Sequence, residues 1–265
     1  MFASNRLLAV ALATTVLVAC GKTEAPGSPE PAAPAAAQPT SLAVIDAAIK
    51  DSTRLGDARL RDPLRKPAEI MVFAGVTPGE TIVELAPGGG YDTALLSRVV
   101  GPSGKIYAVD CERLFEYRPN LRDSFKNFIE ADPRSNVEYS SQRFDALELP
   151  MNVDKVWMSM FYHDTVWLGV DRAAMNRSIF EHLKPGGVFL VIDHKALPGS
   201  GESAASELHR IDPALVRSEI EAAGFKFVAE SDALAHPDDP HTDSVFSDER
   251  RGKTDRFVWK FVKPQ

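Results

Sequence analysis

The chain has 265 residues, with 30 basic against 37 acidic side chains, a formal net charge of -7 and two cysteines. A negative balance speaks against nucleic acid as a partner, because phosphate backbones are gripped by a basic field, and two cysteines are too few for a disulfide-stapled scaffold. The length suits one α/β domain with extensions, and the sequence carries no internal repeat.

In chain order, Arg6 and the apolar run from Leu7 to Ala19 form a positive n-region and a short h-region, below the roughly 20 residues that a membrane-spanning helix needs. Residues 1–19 therefore read as a signal peptide. Leu17-Val18-Ala19-Cys20 resembles a bacterial lipobox, which implies cleavage before Cys20 and lipidation of its thiol. Gly21 rather than Asp follows the cysteine, which resembles the signal for the outer membrane in Gram-negative lipoproteins. The expected location is the periplasmic face of a membrane, reached by export and held by lipid. Residues 20–40 are rich in Ala and Pro and read as an extended tether. At about 3.1 Å per residue such a segment spans on the order of tens of ångströms.

Residues 41–66 read as an N-terminal helical extension, with Leu42, Ile45, Ala48 and Ile49 as a helical stripe, and residues 67–265 as the main domain. A helix is expected over 67–74, with Pro67 in its first turn and Gly75 at its end. An apolar run at 82–85 reads as a buried strand, and Tyr91, Ala94, Leu95 and Val99 recur at helical spacing after it. Further strands are expected at 106–110, 137–140, 156–162 and 188–192, the last apolar almost throughout, as where both faces of a sheet are covered. Helices are expected at 173–183, stopped by Lys184-Pro185-Gly186-Gly187, and at 213–223, ended by Gly224. Two last strands, 225–229 and 257–261, flank a long polar loop. Pro237 and Pro240 give that loop the character of a mobile, solvated lid, so His236, Asp238, Asp239, His241 and Asp243 are not read as metal ligands, and no metal site is expected. Strands alternating with helices imply a doubly wound, Rossmann-like, mostly parallel sheet, with ligands at the carboxyl ends of its strands.

The most informative segment is Glu84-Leu85-Ala86-Pro87-Gly88-Gly89-Gly90-Tyr91, with Asp110 twenty positions beyond Gly90 at the end of the next strand. Strand, glycine loop, helix and strand make a nucleoside cradle in which Asp110 can accept from ribose hydroxyls. The spacing is not the G-x-G-x-x-G of dinucleotide enzymes, which disfavours an oxidoreductase. Instead Glu84-x-Ala86-x-Gly88-x-Gly90 resembles motif I of the class I S-adenosylmethionine-dependent methyltransferases, with Ala86 where the first glycine would stand. A carboxylate inside the strand suits a cofactor that carries cations rather than a pyrophosphate.

The resemblance extends to Leu183-Lys184-Pro185-Gly186-Gly187 and to the closing hairpin. More narrowly, Arg61 to Glu69 together with Phe161-Tyr162-His163-Asp164 looks like a bacterial group of predicted methyltransferases that are often exported. The resemblance implies a seven-stranded sheet with a C-terminal antiparallel hairpin, and S-adenosylmethionine as cofactor. It further implies Glu84 at the methionine end, Ala86 in the loop, Gly88 and Gly90 as points of close backbone approach, Asp110 at the ribose and Asp145 at the adenine amine. Two His-Asp steps, His163-Asp164 and Asp193-His194, close the fourth and fifth strands. His163 and His194 are the candidate bases for a proton-bearing acceptor, with Asp164 beside them. Arg210 reads as a grip on an acidic acceptor or as part of an ordinary helix start at Asp212-Pro213. Arg61, Arg65 and Lys66 read as a solvated surface or a grip on substrate. Cys111 reads as a small buried hydrophobe or as part of the adenosine pocket.

Two functions follow. One is methyl transfer to a small molecule or envelope component; the other is an exported, non-catalytic protein that keeps the fold to bind a ligand. The address is testable by itself. Cells fed an alkyne fatty acid are expected to label the wild-type chain, and Cys20→Ser should abolish the label; persistent labelling of the variant would exclude this cysteine as the anchor.

Overall fold

The computed structural model describes residues 41–265. The expected signal peptide, Cys20 and the tether lie outside the described residues. Helix α1 (Ser41–Lys50) buries Ile45 and Ala48 from the expected stripe. Two single turns follow, α2 (Gly56–Arg59) and α3 (Asp62–Arg65), and then α4 (Pro67–Ala74), which opens on its proline and closes on Gly75 in the left-handed region. Strand β1 (Thr81–Leu85) enters the glycine turn and α5 (Tyr91–Val100), and β2 (Lys105–Cys111) follows. Short helices α6 (Glu112–Tyr117) and α7 (Ser124–Ala131) lead to β3 (Val137–Gln142) and β4 (Val153–Ser159). One turn of helix, α8 (Asp164–Trp167), precedes α9 (Arg172–His182), β5 (Leu183–His194), α10 (Pro213–Ala222), β6 (Lys226–Glu230) and β7 (Arg256–Val262).

The strands form one seven-stranded sheet in the order β3-β2-β1-β4-β5-β7-β6. The first five pair in parallel, and β7 runs antiparallel between β5 and β6. Side chains alternate across the pleat, so neighbouring residues enter different cores. Val83, Leu85, Val156, Met158 and Phe189 pack with Met175 and Ile179 of α9 and with Val216 and Ile220 of α10. Ile82, Trp157, Leu190 and Ile192 face the other way, onto Ile45, Ile70, Leu95 and Val99 of α1, α4 and α5. With the central strands covered on both faces, the rim at the strand ends is the natural place for a ligand. The direction of travel reverses between β1 and β4, which opens a crevice there.

The N-terminal extension is fastened to this frame by charge. Arg54 makes two 2.8 Å bonds to the Asp62 carboxylate, and the Tyr91 hydroxyl donates to the same group at 2.7 Å. Arg61 and Arg65 lie over the Tyr91 ring at 5.0 and 4.9 Å. The start of α5 is thus clamped between the sheet and the segment before α4.

Some expectations need correction. The fourth strand ends at Ser159, not at 162: Met160 turns to φ +55 while its N–H still reaches the Ile192 carbonyl, and Phe161 to His163 form the turn into α8. The fifth strand begins at Leu183, since Lys184 to Gly187 are carried into its range. The loop at 231–255 is not a free lid. Arg210 and Asp239 form a fully buried, bidentate ion pair at 2.9 and 3.0 Å. Arg210 also donates to the carbonyls of Lys195 and Asp243, and Asp239 accepts from the backbone N–H of His241 and Asp255. Arg210 therefore staples the loop, with four of its five N–H donors and its charge already committed there rather than to an acceptor.

Gly90 also differs from expectation. It sits at φ +74, and a Cβ there would come within 2.3 Å of the Phe128 ring, so its bareness serves the packing of α7. Ala86, at φ +57, already tolerates the left-handed region. Gly90→Ala is expected to lose about 2 kcal/mol or more in urea unfolding, the sum of left-handed strain and overpacking. Ala86→Gly should stay within about 0.5 kcal/mol of wild type, as relieved strain offsets added chain entropy. Equal losses in the two variants would contradict this division of labour.

Candidate functional site

At the crevice between β1 and β4 lies a cavity of about 310 Å³. Its floor is the loop from Ala86 to Gly89, its walls include Glu84, Asp92, Ser159 and Phe161, and His163, Asp164 and His194 close it on the other side. Arg61 and Arg65 reach in from the N-terminal extension, and Val245 and Phe246 from the stapled loop. Gly88 is the bare point of the floor. It takes φ +56, and a Cβ there would meet nothing within 4 Å, so the space over it is open to a ligand.

Two carboxylates define the electrostatics. Glu84 points from β1 toward α5, where the Thr93 hydroxyl donates to it, and Asp92 accepts from the Trp157 indole at 3.3 Å. Burial raises the pKa of both, and repulsion from Asp92 and Asp110 raises that of Glu84 further. No lysine or arginine stands within ion-pair distance of either among the described residues, although Arg65 and Arg61 pull Asp92 the other way through space. Such a pair is stabilised in its charged form by a cation brought from outside.

The histidines divide into a charged and a neutral ring. His163 is buried; its backbone N–H donates to Asp193 at 2.8 Å, its Nδ1 lies 2.7 Å from the same carboxylate, and its Nε2 lies 3.1 Å from Asp164. Burial opposes charge here, but Asp193 and Asp164 outweigh it and push the ring up to about 10. A ring held between two carboxylates is favoured as the imidazolium, a form that donates rather than accepts a proton, so the geometry favours His194 over His163 as the base. Asp164 is favoured as the carboxylate. Burial would raise its carboxyl, yet His163 and the hydrogen bonds from His209 and Trp167 hold it well below the usual carboxylate range. His163, Asp164 and His209 offer three metal-ligating atoms within 4.8 Å of one another, joined by contacts of 3.1 to 3.3 Å. His194 behaves in the opposite way. Burial, then the charges of His163, Arg256, Arg210 and Arg65, press its pKa well below 6.5, so it stays neutral, with Nδ1 2.8 Å from the Thr254 hydroxyl.

The remaining expected residues do not line this cavity. Asp110 is buried beside it, accepts from the Tyr139 hydroxyl at 2.9 Å and faces the Gly88 N–H; burial raises it to about 6 against those two bonds. Gly90 is occupied with Phe128. Asp145 lies outside this cavity and is held by Arg143 at 2.9 Å and Arg113 at 3.6 Å. Cys111 is fully buried among Val83, Leu85 and Phe144, and burial pushes its thiol up to about 11, which settles its reading as a core residue.

No family model matches the chain. It is 29% identical over 174 residues to the ubiquinone/menaquinone biosynthesis C-methyltransferase UbiE of Salmonella arizonae, covering 62% of this chain and 63% of that protein, just under two thirds of its length. UbiE of Escherichia coli O1:K1 is 29% identical over 179 residues, covering 66% and 67%. Among solved structures, a SAM-dependent methyltransferase from Aquifex aeolicus superposes with a TM-score of 0.55 at 19% identity, over 77% of this chain and 95% of that one. An S-adenosylmethionine-dependent methyltransferase from Mesorhizobium loti gives 0.54 at 14%, over 76% and 99%. The fold is that of the class I S-adenosylmethionine-dependent methyltransferases.

Within that methyltransferase fold, Asp92 is the residue that sequence reasoning passed over. An acid in the first turn of a helix is ordinary, because it complements the helix dipole; only the tertiary contact with Trp157 turns it into the cavity. The charge on His163 carries a pH signature. Its folded pKa of about 10 exceeds 6.5 in the unfolded chain, so its contribution to stability is complete below pH 6.5 and fades as pH rises through 10. Urea-unfolding free energies measured from pH 7 to 10 should fall for wild type and fall less steeply for His163→Gln. Identical slopes would rule out a proton held by this ring.

Proposed function

We propose that the chain catalyses S-adenosylmethionine-dependent methyl transfer to a small-molecule acceptor. The observation that carries this reading is buried Glu84 and half-buried Asp92, neither in an ion pair among the described residues, beside an open glycine at the strand ends. A sulfonium and an ammonium match two carboxylates; a pyrophosphate would be repelled by them. The UbiE relatives, named as C-methyltransferases, support the same reaction class.

Glu84 and Asp92 would hold the cationic methionine end, Gly88 would admit the nucleoside against bare backbone, and Asp110 would take the ribose hydroxyls once ionised. When bound, the cofactor supplies a methyl group already activated for in-line displacement, so the protein's main task is to place the acceptor. His163, pinned by Asp193 and Asp164, is a fixed donor and positive charge at the acceptor side. His194 is the base for an acceptor that carries a proton: its Nδ1 lies 2.8 Å from the Thr254 hydroxyl, and in the tautomer whose Nδ1–H donates there, Nε2 keeps its lone pair. A proton taken there is held weakly, because the neighbouring cations oppose it. The same proposal includes export and anchoring through Cys20, for which the lipobox-like run is the support.

Calorimetric titration of the full chain with S-adenosylmethionine and NAD tests the reading. Micromolar binding of the first is expected, weakened about tenfold or more by Glu84→Gln or Asp92→Asn, on the scale of one buried charge-assisted contact. NAD binding with no response to S-adenosylmethionine would overturn it.

A further inference from the structure

A second cavity of about 480 Å³ adjoins the first. The two share Arg61, Arg65, Met160, His194, Val245 and Phe246, so they form one continuous hollow with His194 at the junction. The second part has a different character. Four arginines line it, Arg61, Arg65, Arg251 and Arg256, together with the apolar side chains of Leu64, Val245 and Phe246, and no carboxylate lines it. None of the four makes an ion pair among the described residues, in a chain whose net charge is -7.

Their existing partners leave the charge unanswered. Arg61 and Arg65 rest on the face of Tyr91. Arg251, exposed at the rim, donates to the Phe246 carbonyl at 3.3 Å and lies over the Phe246 ring at 5.8 Å. Arg256 is the decisive one. It is 3% exposed, donates from Nη2 to the Leu64 carbonyl at 2.9 Å, and its buried Nε has no partner. Burial and the nearby charge of Arg65 lower its pKa to about 10, against a smaller opposing pull from Asp255. Burying a guanidinium with an orphaned N–H beside a second guanidinium is costly unless something fills the place of the anion.

We propose that this cavity is the acceptor site, and that it takes a small anion, a carboxylate, sulfonate or phosphate, carried on an apolar body that packs against Leu64, Val245 and Phe246. The inference rests on the methyltransferase reading for the word acceptor, but the site itself does not. The anion is gripped at the arginine end, and the opposite end of the molecule lies against His194 and the first cavity. The guanidinium fork suits planar or tetrahedral oxyanions, and the volume suits a small molecule rather than a macromolecule.

The test uses a matched pair of fluorescent probes that differ in the anion. 1-Anilinonaphthalene-8-sulfonate carries a sulfonate on an aromatic body, and N-phenyl-1-naphthylamine is the neutral counterpart. The full chain is expected to bind the sulfonate at one site, about tenfold or more tightly than the neutral probe, and Arg251→Gln should weaken the sulfonate about tenfold while leaving the neutral probe unchanged. Arg251 is chosen because it is exposed at the rim, and the melting temperature of the variant checks that the fold is kept. Equal affinity for the two probes, or an unchanged sulfonate affinity in a folded Arg251→Gln, overturns the proposal. Binding of S-adenosylmethionine, measured in parallel, keeps the two readings apart: its loss with sulfonate binding intact removes the cofactor assignment alone, and the converse removes the anion site alone.

Discussion

The site is organised by separation of charge across one hollow. Buried Glu84 and half-buried Asp92 line one part, Arg251 and Arg256 line the other, and Arg61 and Arg65 stand between and line both, none of the six in an ion pair among the described residues. A folded chain has every incentive to bring such groups together, since an unpaired buried charge costs several kcal/mol. Here the frame prevents it. The acids stand on β1 and α5, both locked into the sheet core, whereas the arginines stand on the N-terminal extension and on the segment entering β7. Arg61 and Arg65 are further diverted onto the Tyr91 ring, and Tyr91 is itself tied through Asp62 to Arg54. The gap left between the two sets of charges is the size of a ligand.

The histidine region follows the same logic on a smaller scale. Asp193, at the end of β5 and fully buried, receives both the backbone N–H and the ring of His163 and so fixes the turn that leaves β4. His194 lies 6.0 Å away between centroids, and its own burial first, then the charge favoured on His163, press its pKa down. Two histidines that look equivalent in the sequence thus differ because one ring is flanked by the carboxylates of Asp193 and Asp164 and the other is buried near cations.

What the sequence made legible is what depends on local pattern. The parallel strands, four of them apolar and the edge strand β3 mixed, the helix stripes, the proline and glycine boundaries of α4 and the closing hairpin are all encoded in short windows, and each stands within about five residues of its expected place. So is the glycine loop as a whole. What was not legible depends on which distant side chain arrives. Gly88 and Gly90 are indistinguishable as letters, yet one faces open space and the other faces Phe128, which α7 brings in from 38 positions away. The acid at 92 is met by Trp157, the acid at 145 by Arg143 and Arg113, and the charge favoured on His163 comes from Asp193, thirty positions further on, together with the neighbouring Asp164. The polar loop at 231–255 has the composition of a mobile segment, and only the arrival of Arg210 inside it shows otherwise.

That buried Arg210–Asp239 staple bears on how ligands would be chosen. Val245 and Phe246 sit six and seven residues beyond Asp239, and the staple holds their loop in place before any ligand comes. The entropy of ordering this wall is spent during folding, so little of it is charged against binding. Discrimination between acceptors then rests on the fit of a preformed surface rather than on a closing motion, and molecules that differ in shape by a single substituent should be sorted at the moment of entry.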